Sequence, residues 1–221
     1  MFRFDHIVIG AGSLAAGRDW MQRRTGVEIP AGGRHRMMGT HNLVAAAGPD
    51  SYIEVIAKDP AAEPPDRPRW FSLDDEIVEL RLAASPRPLA WVLSTDDLDA
   101  AIESAATLGI SLGRPLSMSR DDLHWRVAVR DDGQLDLGGA VPLVVEWPPG
   151  THPASRMPDL GLRIREISIL TESAARLSGL LDAFDLAARP EIAVPETRQT
   201  ESLPEISVTL SVPGGQIITL S

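Results

Sequence analysis

The chain has 221 residues, no cysteine and a formal net charge of −10. Its 43% hydrophobic and 24% charged content is globular and excludes wholesale disorder. A pI near 4.9 argues against nucleic acid and anionic membrane partners, and the missing cysteines exclude disulfides, thiolate metal sites and a Cys nucleophile.

From the N-terminus, Phe4 to Ile9 reads as a short strand. Asp5 and His6 interrupt it, and Arg18 and Asp19 follow soon after, so the start is not expected to be a signal peptide. No apolar run approaches the ~18–20 residues of a membrane span. The absence of cysteine fits a reducing cytoplasm, the expected location. Ser13 is positioned to cap a helix to about Arg24, which Gly26 ends. Strands are expected near Val27–Ile29, Met38–Ala46 and Ser51–Ala57.

A Pro-rich acidic linker covers 59–85, its second half a short helix from Ser72 to Ala84. A second copy of the pattern then opens at Leu89–Leu93. Ser94 or Thr95 is expected to cap a helix over Asp97–Leu108, whose apolar stripe is Leu98, Ala101, Ile102 and Ala105. Strands follow near Arg114–Ser119, His124–Val129 and Pro142–Trp147. A third, looser copy starts at Arg163–Leu170, with Thr171 as helix cap and strands near Glu191–Val194, Glu205–Ser211 and Gln216–Leu220. The chain therefore divides into βαβββ modules at 1–58, 86–150 and 160–221. The expected class is α+β: modules one and two pair into a cupped mixed sheet, and the third is degenerate.

His6 lies in strand one of its module and Glu54 in strand four, adjacent places if the strands pair. Imidazole and carboxylate suit a divalent metal ion, and a buried His–Glu hydrogen bond is the plainer alternative. Glu146 occupies the corresponding fourth strand of module two, with its register open by one residue. Trp91 falls where His6 does, as a wall of the site, and Trp125 and Trp147 are pocket wall or core. His41 is the candidate proton-transfer residue, with a half-exposed histidine as alternative, and His124 holds the matching place in module two. Arg34 follows Gly32-Gly33 with His35, which is either an anion clamp or a turn. Ile7 to Ala16 also contains Gly10-Ala11-Gly12 in a dinucleotide-binding pattern, but no second crossover helix follows it.

The segments Phe4-Asp5-His6-Ile7-Val8, Gly39-Thr40-His41-Asn42, Tyr52-Ile53-Glu54-Val55 and Val145-Glu146-Trp147 resemble the vicinal oxygen chelate superfamily, and within it the glyoxalase-like domain subgroup. The resemblance covers roughly residues 3–155. It implies a metal-dependent enzyme acting on a small substrate with adjacent oxygens, of lyase, isomerase or dioxygenase type. Its metal would be held by His6, Glu54 and Glu146. The superfamily also includes metal-free binding proteins, the alternative; dinucleotide-dependent oxidoreduction is a minor third reading. The odd third module leaves a sheet face to cover, so it is expected either to pack on a partner chain, giving a homodimer, or to block one edge of the cup.

Overall fold

β-branched residues suit a pleated surface buried on both sides, and β1 (Arg3–Gly10) is buried from Phe4 onward. The Ser13 hydroxyl accepts from the Ala16 N–H to cap α1 (Leu14–Thr25), and Gly26 closes that helix at φ 73°. β2 (Ala31–His35), β3 (Thr40–Ala46) and β4 (Tyr52–Lys58) complete the first βαβββ unit. The computed structural model describes residues 1–120, 122–186, 190–196 and 203–221.

β2 lies further along than expected. Ile29 is fully buried in the core, and the glycines that look like a turn form the strand instead. A Cβ at Gly32 would stand 2.3 Å from Asn42 Oδ1, and one at Gly33 would stand 2.4 Å from Arg120 Cδ. The Gly-Gly pair is thus fixed by two polar side chains that press on the backbone.

α2 (Glu76–Ala84) is capped by Asp75. The second unit is β5 (Arg87–Ser94), α3 (Leu98–Thr107), β6 (Arg114–Arg120), β7 (Leu123–Val129) and β8 (Leu143–Glu146). The α3 cap is Asp97, not Ser94 or Thr95: Ser94 still belongs to β5, and Thr95 Oγ1 accepts from the Asp97 N–H. An aspartate there satisfies the Ala100 N–H and faces the positive end of the helix.

The eight strands form one sheet in the order β2-β3-β4-β1-β5-β8-β7-β6. β1 and β5 are antiparallel at its centre, and each is parallel to the fourth strand of its own unit. The edge strands β2 and β6 approach each other, so the sheet curls into a cup. Val8, Val92, Val127 and Val145 belong to the cup-side cluster, and Ile7, Ile9, Trp91 and Leu93 to the outer one. This mixed sheet is not doubly wound. A Cβ at Gly10 would stand 2.8 Å from Leu89 and one at Gly12 would stand 3.3 Å from the Leu82 carbonyl, so α2 covers the loop where a pyrophosphate would sit.

The third unit holds β9 (Arg163–Leu170), α4 (Ala174–Ala183), β10 (Glu191–Ala193), β11 (Glu205–Ser211) and β12 (Ile217–Leu220). Its sheet runs β10-β9-β11-β12. Ile167, Ile169, Leu177, Val208 and Leu210 share one core with Ile7 and Leu93. Phe2 stacks on Phe184 at 3.9 Å, and Arg24 donates to the Thr219 carbonyl at 2.6 Å. The third unit therefore covers the outside of the first two within the same chain, and the case for a partner copy made from an uncovered face lapses. No helix among the described residues is long and apolar enough to cross a membrane.

Candidate active site

A β-bulge opens the site. Phe4 pairs with Leu93 and His6 with Val92, which leaves Asp5 as the extra residue in β1. Strict alternation sends neighbours to opposite faces. The bulge cancels it once, and the Asp5 and His6 side chains meet, with Asp5 Oδ1 2.7 Å from His6 Nδ1. Asp5 is fully buried. Its Oδ2 accepts from the Trp147 indole N–H at 2.9 Å and lies 3.1 Å from His152 Nε2.

On the other side of the imidazole, His6 Nε2 is 3.5 Å from Glu54 Oε2. The β1–β4 register sets this pair, because parallel strands place Tyr52 and Glu54 beside His6 and Val8. The Asn42 amide donates to Glu54 Oε1 at 2.6 Å, and Asn42 Oδ1 accepts from the Gly33 N–H at 2.8 Å. Tyr52 stacks on the His6 ring at 4.1 Å. Asp5, His6 and Glu54 thus form one buried line of acid, imidazole and acid.

The electrostatics follow from burial opposed by pairing. Desolvation pulls the His6 pKa down, but hydrogen bonds and charge from Asp5 and Glu54 outweigh it and raise it to about 9. Burial alone would raise the two carboxylates, yet both are lowered by their partners, Asp5 by His152 and His6, Glu54 chiefly by His6. His35 is buried without a carboxylate contact, and desolvation lowers its pKa to about 4. At neutral pH the cup therefore holds an imidazolium, two carboxylates and a neutral imidazole. Arg120 also lines it, its guanidinium 3.5 Å from Asn42 Oδ1, and pairs with no carboxylate among the described residues.

Trp70, Phe71, Trp125, Trp147, Leu143 and Val145 make the walls. Phe71 and Ser72 sit at φ 58° and 55°, left-handed backbone that costs roughly 1 kcal/mol or more per residue outside glycine. The Ser72 N–H donates to the Gly133 carbonyl at 3.0 Å, one contact that holds the turn.

The structure brings His6, Glu54, Trp125 and Trp147 together in the cup. It places the other expected residues elsewhere, because strands alternate their faces. Glu146 falls between Val145 and Trp147, turns outward, accepts from the Leu98 N–H at 2.9 Å and pairs with Arg126 at 3.1 Å. Trp91 points into the outer core and donates its indole N–H to the Ala140 carbonyl at 2.9 Å. His41 stands one residue from Asn42 and so outside the cup; its Nδ1 is 3.9 Å from Asp59, which also pairs with the exposed Arg34 at 3.3 Å. His124 is exposed beside the cup-facing Trp125. Asp5, Asn42, Tyr52, Arg120 and His152 join the site unforeseen. An acid at Asp5 inside an otherwise apolar, buried strand was the available signal.

The expected metal does not fit this donor set. His6 Nδ1 is engaged by Asp5 at 2.7 Å and its Nε2 faces Glu54 at 3.5 Å, so both ring nitrogens already have carboxylate partners within the protein. The third ligand, Glu146, is on the other face. Module two offers Val92 beside His6, and Val145 where Glu146 was expected. Among the described residues no group of three His, Cys, Asp or Glu side chains could hold a metal ion.

The family model of the glyoxalase-like domain matches residues 4–184. No curated protein sequence is significantly similar to the chain. A hypothetical protein from Staphylococcus aureus shares the fold along nearly the whole length, with TM-score 0.62, 14% identity, and 99% of this chain and 98% of that one covered. Methylmalonyl-CoA epimerase from Mycobacterium tuberculosis aligns with TM-score 0.41 and 17% identity over 66% of this chain and 88% of that one. A Streptomyces coelicolor variant of that enzyme, in complex with 2-nitronate-propionyl-CoA, aligns with TM-score 0.41 and 18% identity over 66% and 95%. Two βαβββ units joined through β1 and β5, and a family match over most of its length, make this chain a member of the glyoxalase-like domain family of the vicinal oxygen chelate superfamily.

Proposed function

We propose that the cup is the active site of an enzyme that moves a proton on a small 2-oxo acid, a substrate with adjacent oxygens, using its own side chains rather than a metal ion. The observation that carries this reading is the buried His6 ring between Asp5 and Glu54 on the cup-side wall. Arg120, which pairs with no carboxylate among the described residues, takes the substrate carboxylate. His6 Nε2–H takes the neighbouring carbonyl oxygen. Glu54 removes a proton from the carbon next to that carbonyl. The C–H electron pair becomes the C=C bond, and the carbonyl pair moves onto the oxygen that His6 protonates or hydrogen-bonds. As the His6 proton moves toward the substrate oxygen, the charge that depresses Glu54 fades, and Glu54 becomes the stronger base. Return of the proton to carbon gives an isomer, and departure of a group from the next carbon gives a lyase product.

The test is deuterium exchange at C3 of 2-oxobutanoate in D2O with EDTA, followed by proton NMR. Exchange above the buffer rate is expected, with a loss of about 100-fold or more in Glu54→Gln, the usual scale of a general base. An exchange rate equal to buffer overturns this function.

A second reading is favoured by the second unit's half of the cup, which is apolar and aromatic through Trp125, Val127, Leu143, Val145 and Trp147. Such a surface suits a protein that sequesters an apolar acid unchanged. Saturable tryptophan quenching without exchange would support it.

A further inference from the structure

β8 begins at Leu143 and meets β5 only from Val92 onward. Before Val92, β5 pairs with β1 on one side and with no strand on the other among the described residues. A cavity of about 440 Å³ opens beside this stretch, bounded by α2, by the 130–139 loop and by the start of β11. That volume lies in the range of small-molecule pockets. Among the described residues, Phe71 is the one side chain that lines both this cavity and the cup.

The lining is divided by chemistry. Val78, Leu82, Leu89, Leu135 and Leu203 give an apolar surface, and Arg81 and Arg87 give positive charge. Neither arginine forms an ion pair among the described residues. The Arg87 Nε–H is buried and has no acceptor among the described residues. A buried donor without a partner is rare in folded proteins and asks for an explanation. The other charged side chains of the lining are engaged or turned to solvent, and the Ser221 backbone also borders the cavity. Asp75 caps α2 through the Ile77 and Val78 N–H groups, Asp136 accepts from the Ser111 and Leu137 N–H groups, and Arg130 pairs with Asp132 at 2.6 Å. Glu205 is exposed.

We infer that this cavity is a second binding site, distinct from the cup, for an amphipathic carboxylate: its acid group rests on Arg81 and Arg87, and its hydrocarbon body lies along Leu82, Leu89 and Leu135. The carboxylate supplies the acceptor that Arg87 lacks, and the apolar body fills a space that the shortened β8 leaves open.

Octanoate is the probe, titrated into the intact protein by calorimetry at neutral pH, with 1-octanol as the uncharged comparator. The expected result is one octanoate per chain at this cavity, counted apart from any that Arg120 holds in the cup, with octanol at least tenfold weaker. Arg87→Met and Arg81→Met should each weaken octanoate at least tenfold, and Leu135→Trp should block it by filling the cavity. Arg120→Met, in the cup, should leave it unchanged. The inference is overturned by the absence of saturable binding, by equal affinity for octanoate and octanol, or by binding that survives all three cavity variants. It is also overturned by binding that Arg120→Met abolishes, which would assign the octanoate to the cup. Should Arg87→Met fail to fold by circular dichroism, Arg81→Met and Leu135→Trp decide the matter.

Discussion

Trp147 stands 142 positions from Asp5 and donates its indole N–H to Asp5 Oδ2 at 2.9 Å. The second βαβββ unit thereby fixes an acid in the first, and the first unit's imidazole is oriented through it. Trp147→Phe keeps the wall and removes the bond. The expected cost is about 1 kcal/mol of stability, the usual value of one such hydrogen bond, measurable by urea denaturation. An unchanged midpoint would mean that water replaces the indole without loss.

Asp5→Asn is expected to be far more damaging. It leaves a buried His6 with one acid in place of two, and breaking a buried charge pair costs about 3–5 kcal/mol. The His6 ring should then titrate below its present value of about 9, visible in its NMR shifts. A His6 titration that stays near 9 would contradict the role given to Asp5.

The same imidazole sets a pH dependence. Its pKa rises from 6.5 in the unfolded chain to about 9 in the folded one, so the folded state binds the proton more tightly. The resulting stabilisation is complete below pH 6.5 and is lost as pH climbs through 9. At 1.36 kcal/mol per pH unit the fall is on the order of 3 kcal/mol. Asp5 and Glu54 are lowered instead, so their contribution is present above the ordinary carboxylate range and lost on acidification. Denaturation midpoints that stay level between pH 6.5 and 9 would rule out a charged His6.

Glu54→Gln and Glu146→Gln separate the two faces of the sheet. The first should cut proton exchange about 100-fold or more. The second should leave it intact and lower stability by about 1 kcal/mol, because among the described residues Glu146 serves only Arg126 and the first turn of α3. Equal loss of activity in both would put Glu146 back in the site.

Gly33→Ala and Gly113→Ala test two kinds of crowding. At Gly33 the new methyl group meets the flexible Arg120 side chain at 2.4 Å; the fold should hold, and ligand affinity should drop as Arg120 moves aside. At Gly113 it meets backbone atoms of Val129 and Arg130 at 2.2 Å with φ at +91°, where nothing can yield, and a loss of about 2 kcal/mol or more is expected. Thermal melting of both variants gives the comparison, and similar melting temperatures would refute it.

The units, their helices and most strands were legible because each is a short local pattern: apolar alternation, a capping residue, a closing glycine. His6 and Glu54 were legible as a pair for the same reason, since matching places in strands one and four come together when those strands pair. What the sequence hid depends on a single residue of register. The choice between Val145 and Glu146 for the cup is one such step, and so is the choice between His41 and Asn42. Asp5 was hidden more deeply: periodicity turns it away from His6, and only a bulge against β5 turns it back. Arg120 reaches the site across the seam where the sheet curls shut, a contact that no spacing along the chain announces.

The last sixty residues act as a foundation for the cup. Their apolar side chains lie in the same core as Ile7 and Ile9, on the reverse of the strand that carries His6. Cutting the chain after the second unit would strip that backing and leave the reverse of β1 wet, so a protein trimmed to its two recognisable units should not keep the acid–imidazole line at working geometry. Changes far from any ligand, at Val208 or Leu210 for example, should reach the chemistry by loosening what β1 rests on. On the proposed function, inheritance of the third unit is then a condition of activity, although among the described residues none of its side chains lines the cup.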